Sequence, residues 1–498
     1  MVITTRPGSH EVPTHGHTAT MAVVLPANLA LNVKRLANLT RTNIRLRPQS
    51  NDTVASGQTV VFRLPTNTMI DLHNLQFYAN AHITGSAPMG LPTDMHGAIE
   101  RVDVVVNGQT INGSNPDYGG YHQLCKHWTD VKSHKDAADW MSSGDNKVKV
   151  LDGTTAIGQR EVLKLAATDP VTYTQEKIPS TAEKKLPSQF PFAITGFKGF
   201  LSGDYVRFID TAVLGPVEVR LRLAPNSILY RGTAPVKTGK TTEATAYDIK
   251  TQNADFEFNN MYMFLDTISF VDDFYRAILA RRLIEGGIIT IPYKNIFGFN
   301  KALASSSDTI SFNLATQSMD RMWATLRDIR YSQRRVKQYS NNAEETNYYK
   351  FESGDNASLF FNGSTTYQFQ VENLHMPSWP ASVEEAYVLT RAALDAYSKR
   401  DASAHIPELD QYKNGKFAFI QAFNHQANGE RIISGLDTRG ASSNMSFDVY
   451  NSDAGMAFVD NADGTPSATE LKKYQVMIYV ETTSTLEISA GQNITTIF

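Results

Sequence analysis

The side chains suited to chemistry in this 498-residue chain are few and scattered. His15, Gly16 and His17 reproduce the two-histidine spacing of a cupin metal site. Such a site needs its ligands on a strand with a glutamate a few residues on, and residues 18–24 supply none. His122, Cys125 and His127 lie close together on a segment with helical tendency. His122 and Cys125, three apart, share a helix face, whereas His127 falls on another side. With no fourth ligand near, a structural helix fits better than a zinc site. No nucleophile elbow, P-loop, dinucleotide fingerprint or His-Glu-x-x-His motif occurs. Asp210, Asp266, Asp437 and Glu481 recur at matching places in two parts of the chain. A catalytic pair does not explain such recurrence, but a repeated turn or strand end does, because Asp bonds its own backbone in turns. Trp128, Trp140, Trp323 and Trp379 read as core or interface anchors rather than sugar platforms. The expectation is no catalytic residue, no metal and no cofactor.

What must position these residues is a duplicated scaffold. Thr59, Phe62, Leu64, Thr66 and Met69 return as Thr309, Phe312, Leu314, Thr316 and Met319, all at one offset, 309 − 59 = 250. Three further echoes follow in the same order: 190–193 with 417–420, 208–221 with 436–449, and 263–269 with 478–484. A period near half the chain means two copies of one domain, not a solenoid of short units. The length agrees, since a single core does not grow to this size.

Composition narrows the class. Charged residues make up 19%, below the usual quarter, and the net charge is −3. A protein that wraps nucleic acid would be strongly basic. One cysteine, Cys125, excludes an internal disulfide framework. No run of 18 apolar residues is present to span a bilayer as a helix. Residues 1–52 read as an arm. Its only acids are Glu11 and Asp52, against Arg6, Lys34, Arg35, Arg41, Arg45 and Arg47. Such an arm orders against a neighbouring subunit, an anionic membrane surface or nucleic acid.

Beyond the arm the chain reads as β. Expected strands cover 59–64, 71–84, 101–111 with an Asn107-Gly108 hairpin turn, 217–223, 256–270, 287–292, 365–371, 416–423 and 474–488. Helices are expected at 121–138 and 383–399. In the second, Ser382 and Glu385 form a capping box, and Pro377 and Pro380 stop propagation upstream. A third helix at 272–283 would link the copies. Long polar excursions at 140–189, 231–254, 400–415 and 451–472 would elaborate one end of each sandwich.

This order of arm, two tandem sandwiches, helices at equivalent places, late loops and a strand terminus at 480–488 resembles the double jelly-roll major capsid proteins of icosahedral double-stranded DNA viruses. That lineage includes adenovirus hexon, tailless membrane-containing phages and large eukaryotic DNA viruses. The resemblance covers 53–498 and rests on architecture rather than on one short motif. It implies an all-β chain of two eight-stranded jelly rolls, at 53–275 and 276–498, behind an arm at 1–52. It further implies a homotrimer forming a pseudo-hexagonal capsomer in a virion shell, made in the host cytoplasm. The partners it implies are neighbouring capsomers, penton and minor capsid proteins and, where one exists, an internal lipid membrane. Sequence-specific nucleic-acid binding is not implied. Lys34, Arg35, Arg41, Arg45 and Arg47 would meet the inner partners. The alternatives are a tandem-sandwich adhesin or carbohydrate-binding protein and, third, a bicupin enzyme.

Overall fold

The computed structural model describes residues 39–49, 51–85, 91–129, 189–229, 254–270, 287–329, 348–354, 364–394, 407–424, 435–439, 444–452, 474–489 and 493–498, apart from 93, 113, 114, 203–205 and 373, together with residue 281 and the pairs 338–339 and 342–343. His15, His17, Lys34, Arg35, Trp140 and the expected linker helix at 272–283, save Arg281, lie outside these residues. So do three of the four long excursions, almost entirely.

The first half runs β1 (Leu39–Leu46), β2 (Thr53–Ala55), β3 (Thr59–Arg63), β4 (Met69–Gly85), β5 (Ile99–Val106), β6 (Gln109–Thr110), α1 (Tyr118–Thr129), β7 (Gln189–Thr195), β8 (Phe208–Asp210), α2 (Thr211–Leu214), β9 (Val217–Leu223) and β10 (Ala254–Phe270). The second half runs β11 (Ile289–Ala302), β12 (Asp308–Asn313), β13 (Met319–Asp328), β14 (Gln338–Tyr339), β15 (Asn342–Ala343), β16 (Thr366–Val371), β17 (Leu374–Ser382), α3 (Val383–Ala393), α4 (Leu409–Asn414), β18 (Phe419–Ala422), β19 (Asn444–Tyr450), β20 (Tyr474–Ser489) and β21 (Asn493–Ile497).

Each half closes two antiparallel sheets on one another. In the first, the sheets run β1-β10-β4-β7 and β3-β9-β5-β6; in the second, β11-β20-β13-β18 and β12-β19-β16-β17. Counting eight principal strands per half in chain order, both halves read first-eighth-third-sixth in one sheet and second-seventh-fourth-fifth in the other. That is the jelly-roll order. The strands form because alternate positions are apolar and their inward side chains interleave between the sheets. Phe62, fully buried, meets Phe77 edge-on at 5.9 Å. Phe369 packs at 4.9 Å on Phe447 in the second core. The Asn107-Gly108 turn has both residues at positive φ, as a two-residue hairpin loop requires.

Four details differ from the sequence reading. Residues 39–46, expected within the arm, form β1 and pair along β10 from Leu39 with Phe270 to Leu46 with Met263. They stand at the same repeat offset from β11, 289 − 39 = 250. The strand was obscured because its outward positions carry Arg41, Asn43 and Arg45, leaving a weak apolar alternation. Second, the β9/β19 match slips by two. Phe62 pairs with Val219 while its counterpart Phe312 pairs with Met445, so Val219, not Val217, corresponds to Met445. A two-residue slip keeps every side chain on its face, so the hydrophobic pattern does not expose it. Third, Pro377 and Pro380 lie within β17, an edge strand, where a missing N–H is tolerated. Fourth, α3 ends early, at Ala393 with Leu394 as its C-cap, while residues 130–138 of the other expected helix lie outside the described residues.

The turn chemistry recurs, with its backbone partners displaced by one or two residues from the 250 offset. The Thr211 hydroxyl accepts from Thr68 N at 2.9 Å and donates to Pro65 O at 2.8 Å. The Thr438 hydroxyl accepts from Thr316 N at 3.0 Å and donates to Leu314 O at 2.9 Å. The preceding Asp210 and Asp437 each accept from the backbone N–H two residues on, at Ala212 and Arg439. Asp266 and Glu481 are not turn residues. They sit within β10 and β20, opposite Asp71 and Arg321.

Candidate functional site

Among the described residues, buried charges and hydroxyls line the place where the two jelly rolls meet. Helix α1 builds the first wall of this seam. Asp117 starts it, accepting from Gly120 N at 3.1 Å, and its own N–H donates to Asn115 Oδ1. The first turn then carries Gly119 and Gly120, each costing roughly 1 kcal/mol against alanine in a helix. Close approach explains both. A Cβ on Gly119 would lie 2.9 Å from the Tyr349 hydroxyl, and one on Gly120 2.6 Å from the Tyr479 hydroxyl.

The second wall is the outward face of β20 and β13. Tyr121 donates to Glu481 Oε1 at 2.6 Å, and Tyr479 donates to Asp117 Oδ2 at 2.9 Å. Arg327 places Nη1 3.3 Å from the same Asp117 oxygen, with its guanidinium 4.0 Å over the Tyr348 ring. Trp128 donates to Lys416 O at 3.2 Å and meets the Tyr412 ring edge-on. Burial pushes the Tyr121 and Tyr479 hydroxyls far above their ordinary range, so they serve as neutral donors. Burial alone would lower Arg327, but Tyr348 and Asp117 outweigh it and keep the guanidinium charged. Removing either member of this desolvated ion pair strands the other, which fixes one geometry.

Among the described residues one cluster has metal-ligand chemistry. The short 3-10 turn Met95–Ala98 packs on α1 and brings Asp94, His96 and His122 together, with candidate ligand atoms within 4.8 Å of one another. The sequence reading singled out His122 but not its neighbours, which are 26 and more residues away and carry no motif. The imidazoles stack with centroids 3.5 Å apart and planes 11° from parallel. Ring-nitrogen lone pairs lie in the ring plane, so two parallel rings do not converge on one ion. Lys126 Nζ, 3.4 Å from Asp94 Oδ2, supplies positive charge there already. His96 Nε2 lies 2.8 Å from Thr195 O, and burial, then the neighbouring His122, depresses the His96 pKa to about 3. Asp94 would be raised by burial, but His122, His96 and Lys126 hold it well below the usual carboxylate range. The arrangement suits a buried polar staple between turn and helix.

The other expected residues separate. Cys125 is buried, its thiol pushed up to about 12 by burial, and His127 meets the Phe351 ring across the seam. Arg41 reaches Asp266 with Nε at 3.0 Å, and Asn74 bridges Asp266 to Asp71, which Arg207 grips from the other side. Arg45 lies 3.7 Å over the Tyr262 ring, and Arg47 is exposed beyond β1. Trp323 is buried beneath Tyr121, whereas Trp379 is 49% exposed.

No protein-family profile matches the chain, and no curated protein matches it in sequence. Solved structures do match over nearly its whole length. PBCV-1 VP54, fitted into a reconstruction of the virophage Sputnik, is 11% identical with a TM-score of 0.54, covering 93% of this chain and 97% of that one. The Sputnik virophage structure itself is 11% identical with a TM-score of 0.52, covering 92% and 88%. The Faustovirus major capsid protein is 8% identical with a TM-score of 0.50, covering 91% of each chain. At these identities the likeness concerns the fold, and it joins the strand order described above: the chain has the double jelly-roll architecture of viral major capsid proteins.

Proposed function

We propose that this chain is the major capsid protein of an icosahedral virus, and that it trimerises into a pseudo-hexagonal capsomer resident in the virion shell. The observation that carries the reading is the tandem pair of complete eight-stranded jelly rolls joined by a buried, charged seam. Such a joint turns two domains into one block with two near-equivalent flanks. Three blocks around a threefold axis give six flanks, and a cyclic ring closes without leaving heterologous surfaces open. The role is structural. Lys34, Arg35 and Arg47 would contact minor capsid proteins or a lipid surface on the inner side, while Arg41 and Arg45 hold β1 to its sheet and leave charge on its outer face. Light scattering of the purified chain tests the reading. A stable species of three times 55.2 kDa supports it, and a monomer at all concentrations overturns it.

A further inference from the structure

The corresponding sheets of the two halves differ in what covers them. In the second half, outward residues of β13 and β20 such as Trp323, Arg327, Tyr479 and Glu481 are buried because the α1 side of the first half lies on them. In the first half, β4 and β10 keep a period-two burial pattern along most of their length. Gln76, Tyr78, Tyr262 and Phe264 on the outward face are only half-buried. On this face Tyr78 stacks at 4.5 Å on Tyr262 beneath Arg45.

The complementary element is also duplicated. The helices α1 and α3 start at one offset, 383 − 118 = 265, as do the ends of β5 and β16, 371 − 106 = 265. The segment 374–388 therefore stands in the second half where 109–123, the docking wall of the seam, stands in the first. Among the described residues five large apolar side chains are exposed, and three of them are Leu374 (61%), Trp379 (49%) and Val388 (50%) on this segment.

Resting on the capsomer reading, we infer that the Leu374, Trp379 and Val388 segment of one copy packs on the outward face of the β1-β10-β4-β7 sheet of a second copy, repeating between chains the seam made within each chain. The occupant is a second copy because the intrachain seam already shows one half's pre-helix wall seated on the other half's equivalent sheet. The contact is head-to-tail, so each chain offers one donor segment and one acceptor face, and a ring of chains closes it. A Trp on a tyrosine-lined face is the anchor type that dominates interface energetics.

The test uses Trp379→Glu on the segment and Tyr262→Glu on the face, with Ile288→Glu, exposed and part of neither, as the control. The wild type and the control should share the three-chain mass, and each of the other two variants should fall to the single-chain mass. A 1:1 mixture of the two should form a two-chain species, since the intact face of one accepts the intact segment of the other. Tyrosine nitration, which needs no substitution on the face itself, should spare Tyr78 and Tyr262 in the wild-type oligomer and label both in monomeric Trp379→Glu. Variants that keep the wild-type mass, a mixture that stays single-chain, or tyrosines equally labelled or equally spared in both states overturn this contact while leaving the capsomer standing. A single-chain wild type overturns both.

Discussion

Replacing Asp117 by Asn probes whether the seam holds the halves together. Asn keeps the N-cap, accepting from Gly120 N, and can still accept from Tyr479. What it removes is the negative charge 3.3 Å from Arg327, whose side chain is 2% exposed. Stranding one member of a buried ion pair costs about 3–5 kcal/mol. The Tyr348 ring stacked on the guanidinium places the expected loss near the lower end, about 3 kcal/mol. For a cooperative unit of two jelly rolls that is a fall in melting temperature of roughly 3–6 °C. Urea and thermal unfolding by fluorescence would read it, with both halves melting together. Adding Arg327→Met to Asp117→Asn should recover most of the loss, because the double variant strands no charge. A loss below about 0.5 kcal/mol, typical of open surface positions, would refute the reasoning. So would a double variant no better than Asp117→Asn alone.

The acid limb of stability should involve His96. Its folded pKa of about 3 lies below the ordinary 6.5, so the unfolded chain binds the extra proton as pH falls between those values, and stability falls with it. At pH 5 the loss is about 2 kcal/mol relative to pH 7, and His96→Gln should flatten that slope in urea titrations at several pH values. An unchanged slope would mean His96 is protonated in the fold. Thr211→Val and Thr438→Val should each cost about 2 kcal/mol, since each leaves a backbone N–H and a carbonyl without the hydroxyl between them. Equal losses in chemical denaturation support one latch used twice; a silent partner would break the equivalence.

Much of this was legible in the residues. The 250-residue echo from Thr59 to Met69 located strands that do pair alike, and Ser382 with Glu385 announced a capping box that both of its hydrogen bonds complete. Asn107-Gly108 named its own turn. The misses share a physical cause, namely that outward-facing chemistry masks an element's inward pattern. Arginines hid β1, and prolines allowed only at a sheet edge hid β17. The seam was invisible for a different reason. Asp117, Arg327 and Tyr479 are far apart in sequence and belong to no motif, and only the meeting of two folded sheets makes them neighbours. Gly119 and Gly120, unfavourable so early in a helix, were the one local hint that something must come close.

Electron cryomicroscopy of the purified oligomer tests the central claim most directly. The account requires a threefold ring of six jelly rolls, with residues 374–388 of each chain against the β4 and β10 face of the next. A twofold dimer, or a map in which the two halves of a chain separate and pack differently, would contradict it.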